Sequence, residues 1–163
     1  MTVRFILNDN EAVIQVEPHE RLIDILRGHL GLTRAKSACH SGLCGACTVF
    51  FNQVITPSCL IPAFRIQGAT VLTIEGFEKT REYQDIIEGF KRAGVENCGY
   101  CDAGKILVAE SLLKAKMPPD KDTIVLAYDG IKCRCTDAVS LVNGVLFAAE
   151  IRKRRYQHAE RPA

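Results

Sequence analysis

Residues 39–47 read CHSGLCGAC, and this loop decides the fold around it. Three thiols within nine residues can converge on one small inorganic centre without help from distant secondary structure. Two glycines stand among the thiols, where a backbone that turns its N–H groups toward anionic sulfur needs conformations that a Cβ would resist. A further thiol follows the loop. We therefore expect a site held by four thiolates, those of Cys39, Cys44, Cys47 and Cys59.

The spacing of these thiols distinguishes between two kinds of site. Gaps of four and then two residues, followed by a more distant cysteine, are typical of plant-type [2Fe–2S] sites. A structural zinc site also takes four thiolates, but usually as two separated close pairs. The spacing favours iron–sulfur, with zinc as the alternative. His40 lies inside the loop, but a Rieske-type centre replaces two cysteines by two histidines, and all four cysteines are present here.

The cysteine count predicts a second site. The chain has 163 residues and eight cysteines, and in a reducing compartment such a count indicates metal binding rather than disulfides. Beyond the first four, two close pairs remain, in the motifs CGYC at residues 98–101 and CRC at residues 133–135. No cysteine is left over. The second tetrathiolate set is Cys98, Cys101, Cys133 and Cys135.

Charge and hydropathy exclude several classes of function. The formal net charge of +2 is too small to indicate a nucleic-acid partner. No signal peptide and no apolar run long enough to span a bilayer is visible, so we expect no membrane insertion and a cytoplasmic location. No catalytic triad or phosphate-binding loop stands out, and we therefore predict no catalytic residue on this chain.

Apolar alternation in the first half predicts a small sheet. Residues 2–8 and 11–17 read as a hairpin around Asp9-Asn10, and residues 47–55 read as a second hairpin around Asn52-Gln53. Between them, residues 22–30 have helical spacing, and Gly31 can close that helix in the left-handed conformation. Residues 69–74 read as a last strand. These elements predict a sheet with a helix across one face.

After Gly76 the apolar period changes to three and four residues. Helices are predicted over residues 81–93, 105–116, 123–128 and 139–153, separated by turn-forming residues. The CGYC motif precedes the second of these helices and CRC precedes the fourth, so both thiol groups should lie at helix N-termini, which favour thiolates. The fold class is therefore α+β, with a sheet domain at residues 1–76 and a four-helix domain at residues 77–163.

The two motifs together resemble a known family. CHSGLCGACTV at residues 39–49 is similar to the ferredoxin-type loop of the small iron–sulfur subunits of the molybdenum hydroxylases, the xanthine dehydrogenase and carbon monoxide dehydrogenase group. CGYC followed at a distance by CRCT is similar to the second cluster motif of that family. The resemblance covers nearly the whole chain, and it implies a β-grasp ferredoxin-like domain followed by a four-helix domain, each with one [2Fe–2S] cluster.

The resemblance also implies a role and partners. Such a chain is the non-catalytic, electron-transfer subunit of an oxidoreductase. It relays electrons between molybdopterin-bound molybdenum on a large subunit and FAD on another subunit, or an external acceptor. The alternative is a redox-sensing or structural module that binds iron–sulfur or zinc.

The sequence departs from the family pattern around the second motif. Asn97 stands where the family commonly has Gln, and residues 102–104 read DAG in place of Thr-Pro-Gly. Residues 130–132 and 137–138 differ as well. In the family that Gln and the last cysteine of CRC lie against the pterin. The resemblance therefore makes Asn97 and Cys135 the candidate contacts to the molybdopterin.

Overall fold

The computed structural model describes residues 1–115 and 117–159. Within these residues, five strands form one mixed sheet in the order β2-β1-β5-β3-β4. β1 and β5 run parallel, and the other neighbouring strands run antiparallel. The strands are β1 (Thr2–Leu7), β2 (Asn10–Gln15), β3 (Thr48–Phe51), β4 (Val54–Pro57) and β5 (Thr70–Leu72).

Both predicted hairpins are present, and each turns through two residues with positive φ. In the second hairpin these are Asn52 and Gln53, at 49° and 67°, as the sequence predicted. In the first they are Asn8 and Asp9, also at 49° and 67°, whereas Asn10 already pairs in the ladder of β2. The predicted turn at Asp9-Asn10 was therefore wrong by one residue. Positive φ at both central positions gives the twist that two-residue hairpins require.

The predicted helix crosses one face of the sheet. A short helix α1 (Leu22–Asp24) continues as a π-helical turn (Ile25–His29), and its apolar residues pack with Phe5 and Val49 of the sheet. Gly31 follows with a φ of 68°, which confirms that it closes the helix in the left-handed conformation.

The last strand is shorter than predicted. β5 ends at Leu72, and a short helix α2 (Ile74–Phe77) begins where the sequence predicted strand. The reason is a side chain from the first turn. The Asn8 Oδ1 accepts a hydrogen bond from the Thr73 backbone N–H at 2.8 Å, which takes Thr73 out of the sheet ladder.

In the part of the second half that the structure describes, four further helices are present: α3 (Arg81–Arg92), α4 (Asp102–Leu113), α5 (Lys121–Tyr128) and α6 (Ala138–Ala159). The predicted start of α4 at residue 105 was three residues late, and its predicted end at Lys116 lies outside the described residues. α4 is buried on nearly every side, so it has no single apolar stripe by which its start could be found. The prediction for α6 stopped at residue 153, short of its observed end.

α4 also joins the two halves of the chain. Its residues Ile106 and Leu107 share one hydrophobic core with Phe50 of β3 and with residues of α3 and α6. Within the described residues, no helix has the length and apolar character needed to cross a membrane. The sheet and the bundle thus meet along α4, and the two cysteine motifs lie at this junction.

Candidate metal centres

The first set of four thiols, three in the loop at residues 39–47 and one at Cys59, has two outer and two inner members. Cys39 is exposed and Cys44 is half-buried, whereas Cys47 and Cys59 are buried with Ile23. The inner pair is held by the residue that precedes Cys59. Ser58 donates two hydrogen bonds to the Cys47 carbonyl, from its backbone N–H at 3.1 Å and its hydroxyl at 2.6 Å. The cysteine that is distant in sequence is thereby fixed beside the loop.

Two glycines give the loop its shape. Gly42 and Gly45 have φ values of 76° and 70°, a region that side chains rarely adopt. At Gly45 the surroundings also leave no room for a Cβ, which would lie 2.7 Å from the Gly130 carbonyl oxygen. Conformation therefore requires glycine at both positions, and packing requires it at Gly45 as well.

Both ring nitrogens of His40 have polar partners. One contacts the Arg21 guanidinium, and the other lies 3.0 Å from the Ser37 hydroxyl. The ring is exposed. That the four thiols rather than His40 bind the metal stays a prediction.

The outer and inner thiols differ in electrostatics. Hydrogen bonds from the backbone and side chain of Ser41 lower the pKa of Cys39 to about 6, and the Ser41 N–H lies 3.5 Å from its sulfur. Burial raises the pKa of Cys47 to about 11. The outer thiol, Cys39, ionises readily at neutral pH. The inner thiol, Cys47, loses its proton only when a metal ion binds to the sulfur in place of that proton.

In the helical half, two segments carry the four thiols of the second set. Cys101 lies at the N-terminus of α4 and is buried, and the Gly99 N–H donates to the Asp102 carboxylate at 2.6 Å. The CRC segment is tied to this loop through Glu96 and Thr136. The Glu96 N–H donates to the Thr136 hydroxyl at 3.0 Å, and that hydroxyl donates back to the Glu96 carbonyl at 3.0 Å. Both motifs therefore stand at helix N-termini, as predicted.

The thiols lie in pairs. Within residues 1–115 and 117–159, no three His, Cys, Asp or Glu side chains converge on a position for a single ion. The thiols instead form four neighbouring pairs, in each of which one thiol shifts the pKa of the other. A two-iron cluster takes two thiolates on each iron, so such pairs suit it, whereas a structural zinc needs all four thiolates on one ion. The pairs are Cys39 with Cys44, Cys47 with Cys59, Cys101 with Cys133, and Cys98 with Cys135.

The thiols of the second set also differ from one another. Burial, and then the neighbouring Cys133, raise the pKa of Cys101 to about 12. The pKa of Cys133 is lowered: burial opposes this, but hydrogen bonds from the backbone of Cys135 and Thr136 outweigh it. At the surface, the Cys98 side chain raises the pKa of Cys135. In this set Cys101 is buried and Cys133 is half-buried, whereas Cys98 and Cys135 are exposed.

The two sites touch through backbone atoms. The Lys132 N–H donates to the Cys44 carbonyl oxygen at 3.2 Å. A Cβ on Gly104, in the first turn of α4, would lie 2.3 Å from the Gly45 carbonyl oxygen. The junction of the two halves therefore fixes one cysteine loop against the other.

The candidate pterin contacts lie next to each other at the surface. Asn97 and Cys135 are both exposed, and the Glu96–Thr136 hydrogen bonds join the residues that flank them. Sequence reasoning missed Lys105, which is fully buried beside the second site. A signal was present, because a lysine four residues after Cys101 lies on the same helical face as that cysteine.

Comparison with known proteins gives the family. Residues 5–66 match a family described as a 2Fe-2S iron-sulfur cluster binding domain, and residues 73–146 match a [2Fe-2S] binding domain. A relative, the nicotinate dehydrogenase small FeS subunit of Eubacterium barkeri, is 37% identical over 92% of this chain and 96% of its own length.

Solved structures agree with this result. Quinoline 2-oxidoreductase from Pseudomonas putida 86 contains a chain that is similar with a TM-score of 0.85 and 31% identity, over 94% of this chain and 96% of that one. The aldehyde oxidoreductase of Desulfovibrio desulfuricans ATCC 27774 has a TM-score of 0.84 and 31% identity, but this chain spans only 17% of it. The chain belongs to the small iron–sulfur subunits of the molybdenum hydroxylases, which are non-catalytic electron-transfer subunits of oxidoreductases.

Proposed function

We propose that this chain holds two [2Fe–2S] clusters and relays electrons between the molybdopterin site of a large partner subunit and an acceptor. The observation that carries the proposal is the arrangement of eight free thiols on two loops whose backbones are hydrogen-bonded to each other, from the Lys132 N–H to the Cys44 carbonyl oxygen. When bound, each cluster supplies a centre that gains and loses one electron at a time. The ligands of the two clusters are Cys39, Cys44, Cys47 and Cys59, and Cys98, Cys101, Cys133 and Cys135.

The residues of the chain would provide the protein environment of this relay. Cys47, Cys59 and Cys101 are buried among apolar side chains, which keep water away from them. Glycine backbone at residues 42, 45 and 99 turns with positive φ around the cysteines. N–H groups in such turns stabilise anionic sulfur, as the Ser41 N–H does at the Cys39 sulfur.

In this proposal the helical half faces the large molybdopterin-binding subunit. Asn97 and Cys135 support that orientation, because they are exposed, adjacent, and match the pterin-contacting positions of the family. Cys135 would contact the pterin as well as a cluster. The amide of Asn97 can donate and accept, although its reach is one methylene shorter than that of Gln.

The sheet half then faces the acceptor. The outer thiol Cys39 is exposed, and the neighbouring Leu43 is 68% exposed, which suits a contact with an FAD-binding subunit or an external carrier. We place the complex in the cytoplasm, because eight thiols that bind metal need a reducing compartment.

Purification from the native source tests this function. The chain should copurify with a large molybdopterin-containing subunit. When that complex is rapidly mixed with its substrate, the helical-half cluster should be reduced before the sheet-half cluster. Electron paramagnetic resonance of samples frozen at successive times measures the order of reduction. A chain isolated as a stable monomer with no large partner would instead support a redox sensor.

A further inference from the structure

A buried lysine lies against the second site. Lys105 has no solvent exposure, and its Nζ lies 3.2 Å from Oδ1 of Asp102. The Nζ also donates a hydrogen bond to the Glu96 carbonyl oxygen. A lysine is almost never fully buried unless it is paired, and here the Asp102 carboxylate supplies the paired charge.

The direction of the side chain follows from helix geometry. Side chains on a helix lean toward its N-terminus, so Lys105 runs back over the first turn of α4 toward Cys101. Its two contacts confirm this, since Glu96 and Asp102 both precede it in the chain. The ammonium group is thereby fixed beneath the CGYC loop, on the inner side of the site.

The Asp102 carboxylate does not cancel this charge at the inner thiols. Asp102 is turned toward the outer part of the loop, where its Oδ2 accepts the Gly99 N–H at 2.6 Å. The ammonium group of Lys105 instead lies over the first turn of α4, one helical turn after Cys101 and on the same face as that thiol. The positive end of the ion pair therefore faces the inner part of the site, and the negative end faces the outer part of the loop.

We propose that Lys105 sets the redox potential of the helical-half cluster, holding it above the value that a neutral side chain would give. Reduction adds one negative charge to a cluster, and a fixed cation in a buried, low-dielectric site stabilises that charge. This inference rests on the proposed function. A higher potential at this cluster increases the driving force for electrons that leave the molybdopterin site.

Three variants of the complex test the effect of charge in both directions. In Lys105→Met the cation is lost, and the reduced-to-oxidised ratio of the helical-half cluster at fixed ambient potential should fall at least tenfold, which equals about 59 mV for a one-electron couple. In Lys105→Arg the charge is kept and the ratio should stay near that of the wild type. In Asp102→Asn the opposing charge is lost and the ratio should rise.

The measurement is a redox titration in which electron paramagnetic resonance detects the reduced clusters, with the sheet-half cluster as internal reference. The potential of the sheet-half cluster should not change in any variant. The double variant Asp102→Asn with Lys105→Met should lie between the two single variants. Damage to packing would shift both single variants in the same direction, whereas a charge effect shifts them in opposite directions.

The inference is overturned if Lys105→Met and the wild type have equal potentials, or if Lys105→Met and Asp102→Asn shift together. If Lys105→Met loses its cluster, Asp102→Asn decides the question, and an unchanged or lowered potential there overturns the inference. A wild-type chain with only one iron–sulfur cluster would instead contradict the proposed function.

Discussion

The backbone N–H of Lys132 donates a hydrogen bond to the carbonyl oxygen of Cys44 at 3.2 Å. One residue belongs to the loop of the sheet-half site, and the other directly precedes Cys133 of the helical-half site. A single hydrogen bond therefore links a ligand of one proposed cluster to the neighbour of a ligand of the other. It fixes the separation of the two sites through the backbone rather than through mobile side chains.

The glycine contact beside this hydrogen bond gives the first prediction. In Gly104→Ala, the new Cβ would lie 2.3 Å from the Gly45 carbonyl oxygen, so the backbone must shift and the two loops must separate. We expect a loss of about 1–3 kcal/mol in the free energy of unfolding, as for overpacked cores. We also expect slower electron transfer between the clusters, measured by flash reduction.

The neighbouring Gly130 offers a matched control. It lies at the same junction, but a Cβ added to it meets nothing within 4 Å. Gly130→Ala should therefore leave both stability and the rate between clusters close to those of the wild type. Equal behaviour of the two variants would show that the close contact at Gly104 does not hold the sites together.

A buried ion network gives the second prediction. Arg152 of α6 contacts Asp85 of α3 at 3.2 Å and Glu110 of α4 at 2.7 Å, and both carboxylates are buried. In Arg152→Met, Asp85 keeps its contact with Arg155 at 2.8 Å, but Glu110 keeps only the more distant Lys114 at 3.6 Å. We therefore expect a loss of about 1–3 kcal/mol in the free energy of unfolding. Urea denaturation followed by circular dichroism measures it.

Arg154, on the same helix, is the control for this variant. Its side chain is 63% exposed and its ion pair with Glu150 lies at the surface. Arg154→Met should change the free energy of unfolding by no more than about 0.5 kcal/mol. If both arginine variants lose the same free energy of unfolding, the buried ion network stabilises the bundle no more than a surface ion pair does.

Much of this architecture could be predicted from sequence because the signals are local. The spacing in CHSGLCGAC, the turn residues Asn52 and Gln53, and Gly31 after α1 each describe their own surroundings. The start of α4 could not be found in this way, because a helix buried on all sides has no amphipathic period. Nor could the place of Lys105, since its burial depends on residues of other elements that pack around α4.

Acid should weaken the contact between α3 and α6, which is the third prediction. Burial raises the pKa of Glu82. A hydrogen bond from the Glu82 backbone N–H and the charge of the nearby Arg155 lower this pKa by more, so it lies below the ordinary 4.5. Because the pKa is lower in the folded state, ionised Glu82 stabilises the fold above pH 4.5 and loses this effect as pH falls through the folded-state pKa.

The variant Glu82→Gln removes this effect. Its free energy of unfolding should be below that of the wild type at pH 7, and the difference should shrink as the pH is lowered through the range around and below 4.5. Chemical denaturation at several pH values measures the difference. A gap that stays constant across this range would mean that the Glu82 carboxylate does not stabilise the fold through its charge.

The fourth prediction concerns the exposed amide beside the second site. If Asn97 contacts the pterin only weakly or through water, Asn97→Ala should slow substrate-driven reduction of the helical-half cluster by roughly fivefold or less, since one such hydrogen bond contributes on the order of 1 kcal/mol. Stopped-flow reduction of the complex gives the rate. Complete loss of electron transfer with intact clusters would show a larger role for Asn97.

Asn97→Gln is the informative comparison. It restores the length of the side chain that the family commonly has at this position. Reduction at the wild-type rate or faster is expected, because the longer amide reaches further while keeping the same donor and acceptor. A structure of the complex in which neither Asn97 nor Cys135 lies near the pterin would refute the assignment of both residues.

The content of iron and acid-labile sulfide tests the central claim most directly. Eight cysteines in two sets of four should hold about four irons and four sulfides per chain, as two [2Fe–2S] clusters require. The protein should be red-brown and bleach with dithionite. About two of each per chain, or stoichiometric zinc in a colourless protein, would contradict it.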